Sequence, residues 1–307
     1  TGAESSTILA LFRAVASMGA TPMGITKADI VGGRLTHANF DVFIIPPGED
    51  GKKCCAGHYS DGDALDQIAT KDAMRAYLNS GGGIVAEEAG AYFCSQNGGT
   101  FDIYSGNYTN VTNQIGKRTF IIVDSQFGSS SQEAWHSYGG GYFPTPPTNV
   151  SVVANNSSGQ AVIVKQNYNA GRIIMTSFTL ELRGDVELDW TIWDNWMMNG
   201  VHNNSQGCWS MLGRMIGWAN NGDASAPIIN PVPNPTGARV AIVAQHTTDG
   251  GAWSGLLPAV ARGIEFSGNI PLAIRFQEIK DGRLTLSNFK VVTFPGGYAY
   301  GYKTGLA

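Results

Sequence analysis

Residues 33–48 read GRLTHANFDVFIIPPG, and residues 282–297 read GRLTLSNFKVVTFPGG. Nine of these sixteen positions are identical at a constant offset of 249. The offset runs back without a gap. Gly2 and Ala3 fall on Gly251 and Ala252, Ser5 on Ser254, Ala10 on Ala259 and Arg13 on Arg262. Gly19 falls on Gly268, Pro22 on Pro271 and Ile25 on Ile274. Residues 1–58 thus return as residues 250–307, and any fold for the chain must use one supersecondary unit twice.

Each copy has a simple reading. In residues 5–18, Ile8, Leu11, Phe12 and Val15 fall on one helical face, and Gly19 ends the helix. Met23–Ile25 suits a short strand. Asp41–Ile45 is a continuous apolar run, as expected of a parallel strand covered on both faces, and it breaks at Pro46-Pro47-Gly48. Before its helix at 254–266 the second copy carries a further buried strand, Arg239–Ala244. The first copy is therefore read as lacking its first strand, and the second as the opening of another unit. Four prolines between 225 and 237 predict a semi-rigid linker. The expected division is 1–224, linker 225–237, and 238–307.

Composition narrows the setting. Charged residues make up 14% of the 307, against about 25% in an average soluble protein. Glycine is correspondingly abundant, at 40 residues. A surface solvated by Ser, Thr, Asn and Gly points to an extracellular or cell-surface location. The net charge of -4 supplies no basic face for nucleic acid. No apolar run reaches the roughly 18–20 residues of a membrane helix. N-linked glycan partners are expected at Asn107, Asn110, Asn149, Asn155, Asn156 and Asn203, each followed two positions on by Ser or Thr. Cys54, Cys55, Cys94 and Cys208 lack the paired spacing of a zinc site, so no metal is expected. The reading favours two disulfides, the Cys54/Cys55 pair supplying one bridge to Cys94 and one to Cys208. Free buried thiols are the alternative.

Asp63–Leu78 carries a helical apolar face. It leads into SGGGIVAEEAGAYF, which reads as a strand at Gly83–Ala86, a sharp turn at Glu87-Glu88-Ala89-Gly90, and a helix from Ala91. Small residues on both sides of one side chain are what a nucleophile elbow needs, because the strained turn leaves no room for more.

At this point the chain resembles the class I glutamine amidotransferase-like family, of the type found as the N-terminal domain of biotin-protein ligases. The likeness extends through FIIPPGED at 43–50, YGGGYF at 138–143, AVIVKQNYNAGRIIMTSFTLEL at 161–182 and MLGRMIGWANN at 211–221. Residues 238–307, with RVAIVAQHTTDGG and FPGGYAYG, resemble the start of the glutaminase domain of phosphoribosylformylglycinamidine synthase. The resemblance implies a flavodoxin-like, three-layer α/β/α sandwich, here tandem and incomplete. It also implies a Cys–His–Glu triad with an oxyanion hole near the turn that follows the apolar strand.

In this chain the elbow Cys position is Glu88, the His position is Thr179, and the Glu position keeps Glu181. A carboxylate cannot replace a thiolate in amide hydrolysis, and threonine does not exchange protons at neutral pH. The expectation is a pseudoenzyme without cofactors. Pro47, Gly48, Glu49 and Glu88 remain candidates for a residual ligand pocket, and Glu49, Glu88 and Glu181 are expected near one another. Cys94 lies after the elbow and is not read as a second nucleophile. Trp190, Trp193 and Trp196 share a helical face, which suits core packing better than sugar stacking. The favoured function is a non-catalytic extracellular structural protein. It would assemble with copies of itself head-to-tail through 238–307, Arg239–Ala244 entering the vacant place in a neighbour's sheet and building a filament. The alternatives are a divergent amidotransferase-like hydrolase and a ligand-binding module.

Overall fold

A computed structural model describes residues 5–47, 68–97, 101–111, 116–136, 140–182, 208–230, 235–244, 246–247, 250–252, 256–297 and 299–307. The first unit is built from helices α1 (Ser5–Ser17), α2 (Lys27–Val31), α3 (Ile68–Asn79), α4 (Ala89–Cys94) and α5 (Trp209–Asn221). Its main strands are β1 (Val42–Ile45), β2 (Gly83–Glu87), β3 (Gly116–Ile122), β4 (Ser131–His136), β5 (Ser151–Asn156), β6 (Ala161–Tyr168) and β7 (Gly171–Thr176).

These seven strands form one sheet in the order β1-β2-β7-β6-β5-β3-β4. β1, β2 and β7 run parallel, with Val42 opposite Gly83 and Ala86 opposite Met175. The remaining strands join antiparallel, β6 and β7 as a hairpin. Every residue of β2 is buried, so the strand has no solvent face. Successive side chains go to opposite faces. Ile84 and Ala86 pack with Met74, Tyr77 and Leu78 of α3 and Phe93 of α4. Val85 goes the other way, into a cluster with Met211, Leu212 and Met215 of α5 and Leu11, Ala14 and Val15 of α1. The result is an α/β/α sandwich of the flavodoxin-like class.

The second unit comprises β8 (Arg239–Val243), α6 (Leu257–Phe266), β9 (Ile270–Ile274), α7 (Phe276–Lys280), β10 (Val291–Thr293) and α8 (Ala299–Leu306). Its parallel sheet has the order β9-β8-β10. The repeat holds at the level of single hydrogen bonds. Arg34 N donates to Asp29 O at 2.9 Å, and Arg283 N to Glu278 O at 3.0 Å. Asn39 Nδ2 donates to Arg34 O at 2.9 Å, and Asn288 Nδ2 to Arg283 O at 2.8 Å. Gly19 and Gly268 have φ of 81° and 79°, the left-handed conformation that glycine adopts without strain.

One expectation changes here. Met23–Ile25 forms no strand, whereas its counterpart β9 does. The reason is pairing: β9 lies against β8, while no strand among the described residues lies beside 23–25. Arg239–Ala244, expected as the strand given to a neighbour, forms β8. β8 has both edges hydrogen-bonded inside its own unit, to β9 and to β10, because the segments that follow it supply both flanking strands. Leaving for a neighbour would break both ladders.

Helix α1 serves both units. Leu11, Ala14 and Val15 enter the core of the first, and Leu9 enters a cluster with Ile242, Leu257, Ala261 and Ala273 of the second. The linker is tied to the same helix, since Asn230 N donates to Ser17 O at 2.8 Å.

The disulfide expectation is also corrected. Cys94 and Cys208 are free, buried thiols. Cys94 sits in the core between α4 and the sheet, and Cys208 Sγ donates to Glu133 O at 2.9 Å. Burial pushes the Cys94 thiol up, and pushes Cys208 up to about 12. Cys54 and Cys55 lie outside the described residues, as do Trp190, Trp193, Trp196 and Asn203.

Candidate functional site

The elbow is built as the sequence demands. β2 ends at Glu87, α4 begins at Ala89, and Glu88 between them has φ 45° and ψ −103°. That is a left-handed conformation for a residue with a full side chain, held in place because Glu88 N donates to Thr176 O at 2.8 Å and Tyr92 N to Glu88 O at 2.9 Å. Gly90 must be small. A Cβ there would lie 2.5 Å from Ile45 O and 2.8 Å from Ile45 Cγ2, so the elbow helix crosses the end of β1 in contact with backbone.

The chain after β7 brings the other two positions to the elbow. Thr179 N donates to Trp135 O at 2.9 Å, and Trp209 Nε1 to Glu181 O at 2.9 Å, which fixes the segment on both sides. Thr179 Oγ1 donates to Glu88 Oε1 at 2.7 Å. Glu88, Thr179 and Glu181 are 0%, 1% and 2% exposed. Two of these three predicted positions are therefore in direct contact, and all three are sealed from solvent. Thr179 can only donate its proton to Glu88. Neither side chain offers a nucleophile at an open surface.

Glu181 has another partner, one that no spacing in the sequence announces. Its carboxyl group faces that of Glu87, the last residue of β2, within hydrogen-bonding range. Apart from the backbone N–H of Glu181 itself, no N–H or O–H donor among the described residues serves their four carboxyl oxygens. Two carboxyl groups so short of donors coexist in a dry core by sharing a proton. Burial first, then the charge and hydrogen bond of Glu181, and then the charge of Glu88 push Glu87 well above the ordinary carboxyl range. Burial pushes Glu181 up to about 7; hydrogen bonds from Glu87 and from its own backbone hold it back, and the charge of Glu88 adds to the rise. The phenol of Tyr108 is likewise driven upward, by burial and then by the charge of Glu88. A signal for Glu87 was present: an acid ending an otherwise apolar buried strand must find a partner.

The other candidates are dispersed. Pro47 is buried at the end of β1, while Gly48 and Glu49 lie outside the described residues. Among the described residues no group of three or more His, Cys, Asp or Glu side chains could hold a metal ion. No helix of the described residues is long and apolar enough to cross a membrane. Of the glycan acceptors, Asn107 and Asn149 are exposed and Asn110 and Asn155 half-buried. Asn156 is occupied in a turn: its Nδ2 donates to Gln160 Oε1 at 2.8 Å and its Oδ1 accepts from Ser158 N and Gln160 N.

No family model matches the chain, and no curated protein matches it. Solved structures do. A ThuA-like protein from Parabacteroides merdae aligns at 14% identity over 75% of this chain and 92% of its own, with a TM-score of 0.43. A second ThuA-like protein, from Bacteroides uniformis, aligns at 12% identity over 72% and 90%, with a TM-score of 0.42. PurLQS from Thermotoga maritima aligns at 13% identity over 59% and 84%, also with a TM-score of 0.42. The likeness is one of fold, and at these scores it carries no argument about activity.

Proposed function

We propose that this protein is a non-catalytic, extracellular structural protein built from degenerate amidotransferase-like units, in which the former catalytic centre has become core. The observation that carries this reading is the hydrogen bond from Thr179 to Glu88. The side chain at the apex of the elbow is an acceptor already satisfied by the residue in the general-base position, and both are sealed. A group without nucleophilicity, in contact with one that cannot take a proton, performs no acyl transfer. Low charge and the exposed acceptors Asn107 and Asn149 support the extracellular setting. Association with further copies, head-to-tail through 238–307, belongs to the same reading and requires β8 to be exchanged between copies.

The test is a glutaminase assay on the unmodified chain, beside the double variant Glu88→Cys/Thr179→His. No ammonia release from the unmodified chain is expected. Turnover abolished by Glu88→Gln would overturn the reading. Light scattering on the same preparation reports the assembly state. A strictly monomeric chain at high concentration removes head-to-tail association from the proposal.

A further inference from the structure

A cleft enclosing about 200 Å3 lies between α1 and α6, closed at one end by the linker. Apart from Asn230, every residue lining it has its counterpart at the offset of 249 in the lining as well: Phe12 with Ala261, Arg13 with Arg262, Ala16 with Glu265, and so on. The same face of the repeated unit meets itself, as in the isologous interface of a two-fold dimer.

The symmetry fails at one pair. Arg13 has a carboxylate beside it: its Nε lies 2.8 Å from Glu265 Oε1, and the two side chains are 8% and 6% exposed. The mirror arrangement would place a carboxylate beside Arg262. The counterpart of Glu265 is Ala16, which has none. Arg262 stands exposed at the mouth and forms no ion pair among the described residues. Among the described residues, Arg262 is thus the one guanidinium group of the cleft lining without an ion pair of its own. The rest of the wall is largely apolar, with Leu9, Phe12, Pro258, Ala261 and Phe266, and Ser17 and Asn230 add the remaining polar groups.

We propose that this cleft binds a small molecule with a single carboxylate on a short apolar body, of the size of hexanoate or benzoate. The carboxylate lies against Arg262, in the place that a symmetric Glu265 would have filled, and the apolar body lies between α1 and α6. A largely apolar concavity with one charged group outside its ion pair, at the contact between two units, has the form of a small-ligand site. Charge-assisted contact with guanidinium supplies the selection for an acid over an alcohol. A ligand held there touches both copies of the repeat and ties them together.

The test is titration calorimetry on the full chain with hexanoate, hexanol and hexylamine. Hexanoate should bind roughly tenfold or more tightly than hexanol, with hexylamine weakest. Arg262→Gln changes an exposed side chain and should lower hexanoate binding to the hexanol level, with an unchanged circular dichroism spectrum. Ala16→Glu places the missing carboxylate beside Arg262 and should abolish hexanoate binding while raising the melting temperature. The proposal is overturned if hexanoate gives no saturable heat at millimolar concentration. Equal binding of hexanol, or an Arg262→Gln chain that binds hexanoate as before, overturns it as well.

Discussion

Thr179 Oγ1 donates a 2.7 Å hydrogen bond to Glu88 Oε1 across 91 residues of sequence, with both side chains buried. The contact joins the turn after β2 to the segment after β7. The two side chains form a fixed polar link in a dry core. A hydrogen bond to a charged group in such a place contributes more to stability than an ordinary one.

Thr179→Val keeps the shape of the side chain and removes this donor from Glu88. The expected cost is about 1.5–3 kcal/mol of unfolding free energy. Urea denaturation followed by tryptophan fluorescence checks it. A midpoint unchanged within error would mean that Glu88 draws its stabilisation elsewhere.

The carboxyl pair of Glu87 and Glu181 makes stability depend on pH in an uncommon direction for acidic groups. Both are raised in the folded state, so folding holds protons that the unfolded chain releases near the ordinary carboxyl value. The stabilisation is fully present below about pH 4. It is lost as pH rises through the folded value of Glu181, about 7. On the order of 3 kcal/mol is at stake, from the size of that rise at 1.36 kcal/mol per unit. The urea midpoint should fall between pH 5 and pH 8. Glu181→Gln, which donates a hydrogen of its own to Glu87, should flatten the dependence. A midpoint that rises across this range would refute the shared proton.

Gly90→Ala tests the crossing of α4 over β1. The added methyl would meet the carbonyl oxygen of Ile45 at 2.5 Å, and backbone cannot swing aside as a side chain can. A loss of about 1–3 kcal/mol is expected, typical of overpacking. The far-UV spectrum should be preserved, because the sheet does not depend on that methyl-sized space. Thermal melting of the variant beside Gly222→Ala, at a left-handed helix cap with φ 86°, separates crowding from backbone strain.

Much of the architecture was legible in the sequence because it rests on local signals. The constant offset implied two copies, and Gly19 and Gly268 do adopt matching conformations. The run GIVAEEAGAYF implied strand, elbow and helix, since only small residues fit around the turn. What failed was long-range. Met23–Ile25 has a strand's composition, but a strand needs a neighbour, and composition does not report neighbours. The end of an apolar strand marks Glu87 as needing a partner, but that partner, Glu181, lies across the sheet, and no spacing rule connects positions 94 residues apart. An oxidising compartment implies paired cysteines, whereas packing buries Cys94 and Cys208 as free thiols among hydrophobes. The cleft between α1 and α6 was hidden for a related reason. Its walls are visible as repeat positions, but that the repeat meets itself is a fact of docking.

The ion pair of Arg13 and Glu265 offers the sharpest measure of that docking. Both groups are buried, and α1 and α6 belong to different units. Burial pushes Glu265 up, and the neighbouring charges of Arg13 and then Arg262 pull it down by less. Removing one member leaves the other as a buried charge with less compensation, at a cost of about 3–5 kcal/mol for a buried pair. Arg13→Met and Glu265→Leu should each destabilise strongly when made singly. The double variant replaces both charges with apolar groups and should recover most of the loss. A double-mutant cycle by urea denaturation measures the coupling directly. Single losses below about 0.5 kcal/mol, with no coupling, would mean that the two units do not pack through this face in solution.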